Sequence, residues 1–195
     1  MSAMVRDLVL DDIWLQLEQD SALGYGGTVW DAALVLTAYL SNLKGEFTPS
    51  TKVLELGSGT GICGLHLQRR FGCEVVVTDL PALLPLLERN RSLNHCSNVR
   101  VAELRWESEQ SLGRFDYVLG SDLVYESALH PHLLNTIEAN AGGEVILSFE
   151  MRKAEDLAAV DEMQRRGWTA HIIEQERLRP EYRAIDIAVV RFSRR

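Results

Sequence analysis

The sequence has no apolar run long enough to cross a bilayer. The longest, Ala32 to Leu40, is interrupted by Thr37 and falls far short of the roughly 20 residues required. It opens Met1-Ser-Ala-Met-Val-Arg-Asp7, with no basic region followed by an apolar core and a small-residue cleavage site, so no export signal is read. A cytoplasmic protein, also nuclear, is expected. Cysteine is scarce: Cys63, Cys73 and Cys96 are odd in number and show no C-x-x-C spacing, which excludes a disulfide framework and points to a reducing compartment. Histidines are scattered, and His130-Pro-His132 has no ligand partner at a metal-site spacing, so no metal is expected. Positive charge is also in deficit. Lys and Arg total 20 against 28 Asp and Glu, a formal net charge of -8, and basic residues cluster only as pairs such as Arg69-Arg70 and Arg165-Arg166. A phosphate backbone would be repelled, and nucleic acid is not expected as a partner.

No repeat, low-complexity tract or Pro-rich linker divides the 195 residues. The expectation is one domain over 1–195, with 1–28 an N-terminal extension and 29–195 the core, and a monomer. From Lys52 onward, short β-branched runs alternate with segments of helical period: Val53–Leu56, 61–71, Val75–Thr78, 82–94, Val99–Leu104, Tyr117–Gly120, 128–139, Val145–Phe149 and 155–166. That alternation predicts an α/β fold with a mostly parallel, doubly wound sheet. Thr169–Ile173 and Ile185–Phe192 follow without an apolar helix between them and predict an antiparallel C-terminal edge hairpin. Val29 to Leu40, apolar around much of its circumference, predicts a helix over the sheet.

Val53-Leu-Glu-Leu-Gly57-Ser58-Gly59-Thr-Gly61 reads as a strand entering a glycine-rich turn that opens a helix, where backbone N–H groups can approach a ligand closely. Asp79 closes the next strand, where an acid accepts hydrogen bonds from ribose hydroxyls. Together they predict an adenosine-bearing cofactor. Gly59-Thr-Gly61-Ile-Cys-Gly64 also satisfies the dinucleotide G-x-G-x-x-G pattern. That loop should begin directly after the strand, yet Gly57 occupies the place.

Phe115-Asp-Tyr-Val-Leu-Gly-Ser121-Asp122-Leu-Val-Tyr125 is a strand ending in small residues, then an acid and a phenol three apart. Ligands of open α/β sheets sit beyond the carboxyl ends of the strands, which makes Asp122 and Tyr125 substrate-site candidates. A bland alternative has Asp122 capping a turn and Tyr125 packing.

With Gly24-Tyr-Gly-Gly-Thr-Val-Trp30-Asp, the glycine loop, Val75-Val-Val-Thr-Asp79-Leu, Leu104-Arg-Trp106 and Asp122-Leu-Val-Tyr125 in order, residues 24 to 195 resemble the seven-β-strand protein-lysine methyltransferases. The resemblance implies a Rossmann-like, seven-stranded class I methyltransferase fold and S-adenosyl-L-methionine as cofactor. It places Trp30, Glu55, Gly57, Ser58, Gly59, Asp79, Trp106 and Ser121 at the cofactor, and Asp122, Tyr125 and Glu150 near the lysine. Leu123 and Val124 replace the two prolines that DNA and glutamine N-methyltransferases put in this loop, which disfavours a planar nitrogen acceptor. Phe149-Glu-Met-Arg152 and Glu181-Tyr-Arg-Ala-Ile-Asp-Ile187 match the pattern of members that modify a AAA ATPase such as valosin-containing protein, which implies a protein substrate of that kind. Taken alone, tryptophans are core residues, and Trp14 and Trp168 are read as structural. A small-metabolite methyltransferase, a non-catalytic adenosylmethionine-binding module and an oxidoreductase are the competing readings.

Overall fold

The computed structural model describes residues 4–108, 110–151, 157–175, 178 and 186–194. Strands β3 (Lys52–Leu56), β4 (Glu74–Asp79), β5 (Val99–Glu103), β6 (Phe115–Ser121), β7 (Ala141–Glu150), β8 (Trp168–Ile172) and β9 (Ile187–Arg194) form one sheet in the order β5-β4-β3-β6-β7-β9-β8. Pairing is parallel from β5 through β7. β9 then inserts antiparallel between β7 and β8, so the expected C-terminal hairpin is present with its second strand on the inside. Order reverses between β3 and β6, so the site lies at the sheet's topological switch point.

Burial on both faces explains the sequence of the central strands. Val53, Leu54, Leu56, Val118 and Leu119 are fully buried, which is why β3 and β6 read as continuous apolar runs. Helices α1 (Asp31–Ser41), α2 (Ile62–Phe71) and α3 (Leu84–Leu93) cover one face, and α4 (His130–Asn140) and α5 (Ala158–Arg165) the other. Proline enters α3 and α4 in the first turn, where its missing N–H leaves no intrahelical bond unmade. Among the described residues no helix is long and apolar enough to cross a membrane.

The segment before Val29, for which the sequence predicted no elements, contains a hairpin of β1 (Met4–Leu10) and β2 (Ile13–Gln19). Its turn places Asp11 and Asp12 at φ 50° and 64°, the left-handed pair that two-residue hairpins require. Leu15 and Leu17 point inward and are fully buried, whereas Trp14 faces out and is 53% exposed, which corrects its reading as a core tryptophan.

Asn90 of α3 and Asn94, the residue that caps its C-terminus, dock this hairpin. Asn94 Oδ1 accepts from Gln16 N (2.9 Å) while its Nδ2 donates to Gln16 O (2.7 Å). Asn90 does the same for Glu18, at 2.7 and 3.1 Å, and also donates to Thr60 O at 3.0 Å. Four residues of helix rise about 6 Å and two residues of strand about 6.8 Å, so an i,i+4 pair matches the same-facing groups of an i,i+2 pair. The helix thus supplies β2 with a surrogate strand edge.

Asn90 is fully buried, and removing its amide strands Glu18 N–H and the carbonyls of Glu18 and Thr60. Asn90→Ala is therefore expected to lower stability by about 2–3 kcal/mol, read as a lower denaturant midpoint at unchanged slope. A loss below about 0.5 kcal/mol would show that water replaces the clamp.

Candidate active site

The turn from β3 into α2 is held from three directions. Asp79, at the end of β4, accepts Gly59 N–H on Oδ2 (2.8 Å) and Leu80 N–H on Oδ1 (2.7 Å). Ser58 bridges the two strands: its N–H donates to Thr78 O (2.8 Å), and its Oγ accepts from Thr78 N (3.0 Å). Glu55 Oε2 accepts Gly64 N–H at 2.9 Å, tying the strand to the first turn of α2. Gly59 sits at φ 54°, and a Cβ there would lie 2.9 Å from the carbonyl oxygen of Gly26, so only glycine lets the two backbones approach.

Above this turn opens a cavity of about 590 Å³, within the range of small-molecule sites. Every sequence-predicted site residue lines it except Glu55 and Glu150. Trp30, at the N-terminus of α1, and Trp106, in a 3-10 turn after β5, both line it. Ser121 and Asp122 come from the end of β6. Asp122 adopts φ 55° and is held by its N–H donating to Ser148 O at 2.7 Å. Leu123 and Val124 turn into the core, and Leu123 fills the space beside Gly57 and Gly120 that a Cβ would take. His130 Nε2 donates to Val124 O at 2.9 Å and fixes the backbone just before Tyr125.

Glu55 and Glu150 stand elsewhere. Glu55 is 1% exposed beneath the turn, facing α2. Burial, more than the opposing Gly64 bond, pushes its carboxyl from the usual 4.5 up to about 7. Its geometry is that of a positioning residue. Glu150 ends β7, with its N–H directed at Asp122 Oδ1 at 3.4 Å, and it does not line the cavity. Arg152 and 181–185, part of the two segments that suggested a AAA ATPase, lie outside the described residues.

Tyr25, quoted within the Gly24-to-Asp31 motif but given no role, also lines the cavity. It belongs to a 3-10 segment, Ser21–Gly27, whose ends are joined by Asp20 N–H donating to Gly27 O (2.8 Å). Leu83 lines the same cavity from the turn before α3. The electrostatics are one-sided: Asp79, Glu107 and Asp122 line the cavity, and no Lys, Arg or His does among the described residues. Burial raises the Asp79 carboxyl above its usual range, against the lowering effect of the two backbone N–H groups. Such a cavity suits a cation and rejects a polyphosphate.

Comparison with known proteins agrees with the resemblance read from the motifs. The family model described as lysine methyltransferase matches residues 9–166. EEF1A lysine methyltransferase 3 of Xenopus tropicalis is 39% identical over 137 residues, 67% of this chain and 60% of that protein. Protein N-lysine methyltransferase METTL21A of Danio rerio is 35% identical over 166 residues, 78% of this chain and 73% of that protein. The chain thus spans about 60% of the length of the first curated relatives it matches. Among solved structures, precorrin-6y C5,15-methyltransferase from Geobacter metallireducens superposes with a TM-score of 0.64 at 11% identity, covering 92% of this chain and 94% of that one. PigF with SAH superposes with a TM-score of 0.68 at 14% identity, over 90% and 59%. These two show the class I methyltransferase fold.

Glu55 generates a pH prediction. The folded chain keeps the Glu55 proton up to about pH 7, whereas the unfolded chain releases it near 4.5, so between those values this group makes stability fall as pH rises. Glu55→Gln removes that contribution. Its stability relative to the wild type is expected to rise through this window by on the order of 3 kcal/mol, followed as the difference in melting temperature from acid to neutral pH. A difference independent of pH would mean that Glu55 titrates alike in both states.

Proposed function

This chain belongs to the lysine methyltransferase family, and on that premise we propose that it methylates a lysine side chain of another protein with S-adenosyl-L-methionine as methyl donor. The observation that carries the proposal is the acidic cavity at the switch point, lined by no base among the described residues, because both the sulfonium of the donor and the ammonium of lysine are cations. The glycine turn starts at Gly57, two residues ahead of the dinucleotide pattern at Gly59 to Gly64, which disfavours a nicotinamide dinucleotide and with it an oxidoreductase.

The residues present fit the donor. The glycine turn leaves room where Cβ atoms would intrude, the backbone of Gly57 to Gly59 faces the cavity, and Asp79 keeps further lone pairs for ribose hydroxyls. Trp30, Trp106 and Ser121 complete the walls around it. When bound, S-adenosyl-L-methionine supplies a methyl carbon whose bond to positive sulfur breaks as the lysine nitrogen lone pair bonds to it.

Asp122 and Tyr125 hold the acceptor. Lysine ionises near about 10.4, so presenting a neutral amine at pH 7 costs roughly 4.6 kcal/mol. Asp122 favours the ammonium form and therefore recruits and orients rather than deprotonates. Tyr125 is no base either, since burial and then Glu126 and Asp79 hold its phenol above the usual range. The proton leaves to water at the open mouth before transfer, and proximity and alignment supply the remaining catalysis. Glu150 supports this site through its contact with Asp122.

For the protein substrate, elongation factor 1A comes first, because relatives 39% identical carry it in their names. A AAA ATPase such as valosin-containing protein is the second reading, favoured by the motifs around Phe149 and Ile187.

The test is transfer from radiolabelled adenosylmethionine to each purified protein, with methyllysine scored in the acid hydrolysate. Asp79→Ala is expected to abolish donor binding by calorimetry. Asp122→Asn is expected to keep donor affinity and slow labelling about 10- to 100-fold, the loss of one charge-assisted hydrogen bond. Label that reaches no lysine of either protein or of a cell extract would overturn the reading.

A further inference from the structure

Three aromatic rings stand around the mouth of the cavity and remain open to water: Tyr25 is 72% exposed, Tyr125 47% and Trp30 41%. They do not stack. Tyr25 lies with its centroid 6.0 Å from Trp30 at an interplanar angle of 55°, and 5.8 Å from Tyr125 at 59°. The arrangement is built rather than incidental. Trp30 Nε1 donates to the Tyr25 carbonyl at 2.7 Å, the 3-10 segment carrying Tyr25 is closed by the Asp20–Gly27 bond, and His130 holds the chain just before Tyr125.

Position separates Tyr25 and Tyr125 from the parts suited to the donor, with Trp30, bonded to the Tyr25 carbonyl, bordering both. The glycine turn and Asp79 lie deep, with Asp79 9% exposed, whereas Tyr25 is the most open ring lining the cavity. Asp122 lines the same cavity, three residues before Tyr125. A side chain arriving from solvent passes the rings first.

The chemistry of stepwise methylation gives such rings a use. An ammonium has three N–H donors, and each methyl group added removes one, so recognition by Asp122 through hydrogen bonds weakens with every transfer while the charge persists. Aromatic faces attract the charge whether its surface is N–H or CH₃. The geometry points to an aromatic clasp of Tyr25, Trp30 and Tyr125 that binds the methylated as well as the unmethylated end of the lysine side chain, so that the product of one transfer is retained for the next. The inference rests on the lysine methyltransferase reading and deepens it. Each further transfer again requires the methylammonium to give one proton to water before its nitrogen bonds to carbon, so no additional reagent is involved.

The experiment titrates Nα-acetyl-Nε-trimethyllysine amide into the S-adenosylhomocysteine-bound protein and follows the indole N–H signals of Trp30 and Trp106 by NMR. The trimethylated probe is expected to move the Trp30 signal and to leave Trp106 in place. Tyr25→Phe should retain that response, and Tyr25→Ala should weaken binding about 2- to 5-fold, as for one partly exposed cation–π contact. The uncharged tert-butyl isostere should bind more weakly than the cation. Equal binding of the isostere would reduce the clasp to an apolar shelf, an unmoved Trp30 would remove it, and loss of S-adenosylhomocysteine affinity in Tyr25→Ala would assign the ring to the cofactor; each result overturns the proposal. Absence of methyllysine in the transfer assay fails the parent reading and the clasp with it, whereas a negative titration beside positive methyllysine fails the clasp alone.

Discussion

Everything in this structure that bears on ligand binding hangs on one turn, residues 57–61, and on the buried polar side chains that hold it. Asp79 grips Gly59 N–H, Asn90 grips Thr60 O, and Glu55 grips Gly64 N–H just beyond, each from a different element. The turn has positive φ at Gly57, Gly59 and Gly61 and so makes no regular ladder of its own. Its backbone groups would otherwise be buried without partners, at about 1–3 kcal/mol each. The acids and the amide offset that penalty and at the same time fix the position of the cavity floor.

This arrangement has an electrostatic consequence. Asp79 is desolvated, which raises its carboxyl, and bonded to two N–H groups, which opposes that rise, and its remaining lone pairs suit a positive or hydroxyl-rich ligand. Glu55 is more deeply buried, and burial outweighs its bond from Gly64 N–H, so its carboxyl is pushed up to about 7 and contributes shape more than charge. Two carboxylic acids 24 residues apart in sequence thus divide into one beneath the turn and one lining the cavity.

The periodicities from Lys52 onward located the strands and helices because a sheet buried on both faces leaves unmistakable runs such as Val53–Leu56, and because the acid at the end of β4 is a positional signal rather than a compositional one. Glu55 was legible, and the structure sets it beneath the turn rather than in the cavity wall. Strand parity places it on the face of Val53, toward α2, and Val53 packs in the cluster that also contains Ile62 and Leu65 of that helix. The β1–β2 hairpin was hidden for a different reason: its outward positions Val5, Val9 and Trp14 are apolar too, so the in–out alternation that betrays a half-buried strand is blurred, and Asp11-Asp12 is a weaker turn signal than Asn-Gly. Tyr25 lies between glycines in a segment with no period at all, and nothing local distinguishes it from a loop aromatic.

The two features that escaped the sequence are physically one. The last residue of β2, Gln19, accepts Val29 N–H through its side chain at 2.8 Å, and Asp20 closes the 3-10 segment onto Gly27, so the hairpin sets where Tyr25 stands. Gly26 in turn presses its carbonyl against Gly59, which only a glycine there permits. The edge of β2 is itself held by Asn90, the residue that also holds Thr60. The rim of the cavity and its floor are therefore referenced to the same side chain, and a displacement of the hairpin cannot move the aromatic mouth without straining the glycine turn beneath it. That shared anchor explains why a short N-terminal hairpin with an exposed apolar face is docked by paired asparagines rather than by loose apolar contact: amide bonds in two directions fix register as well as position, and the mouth tolerates an error in neither.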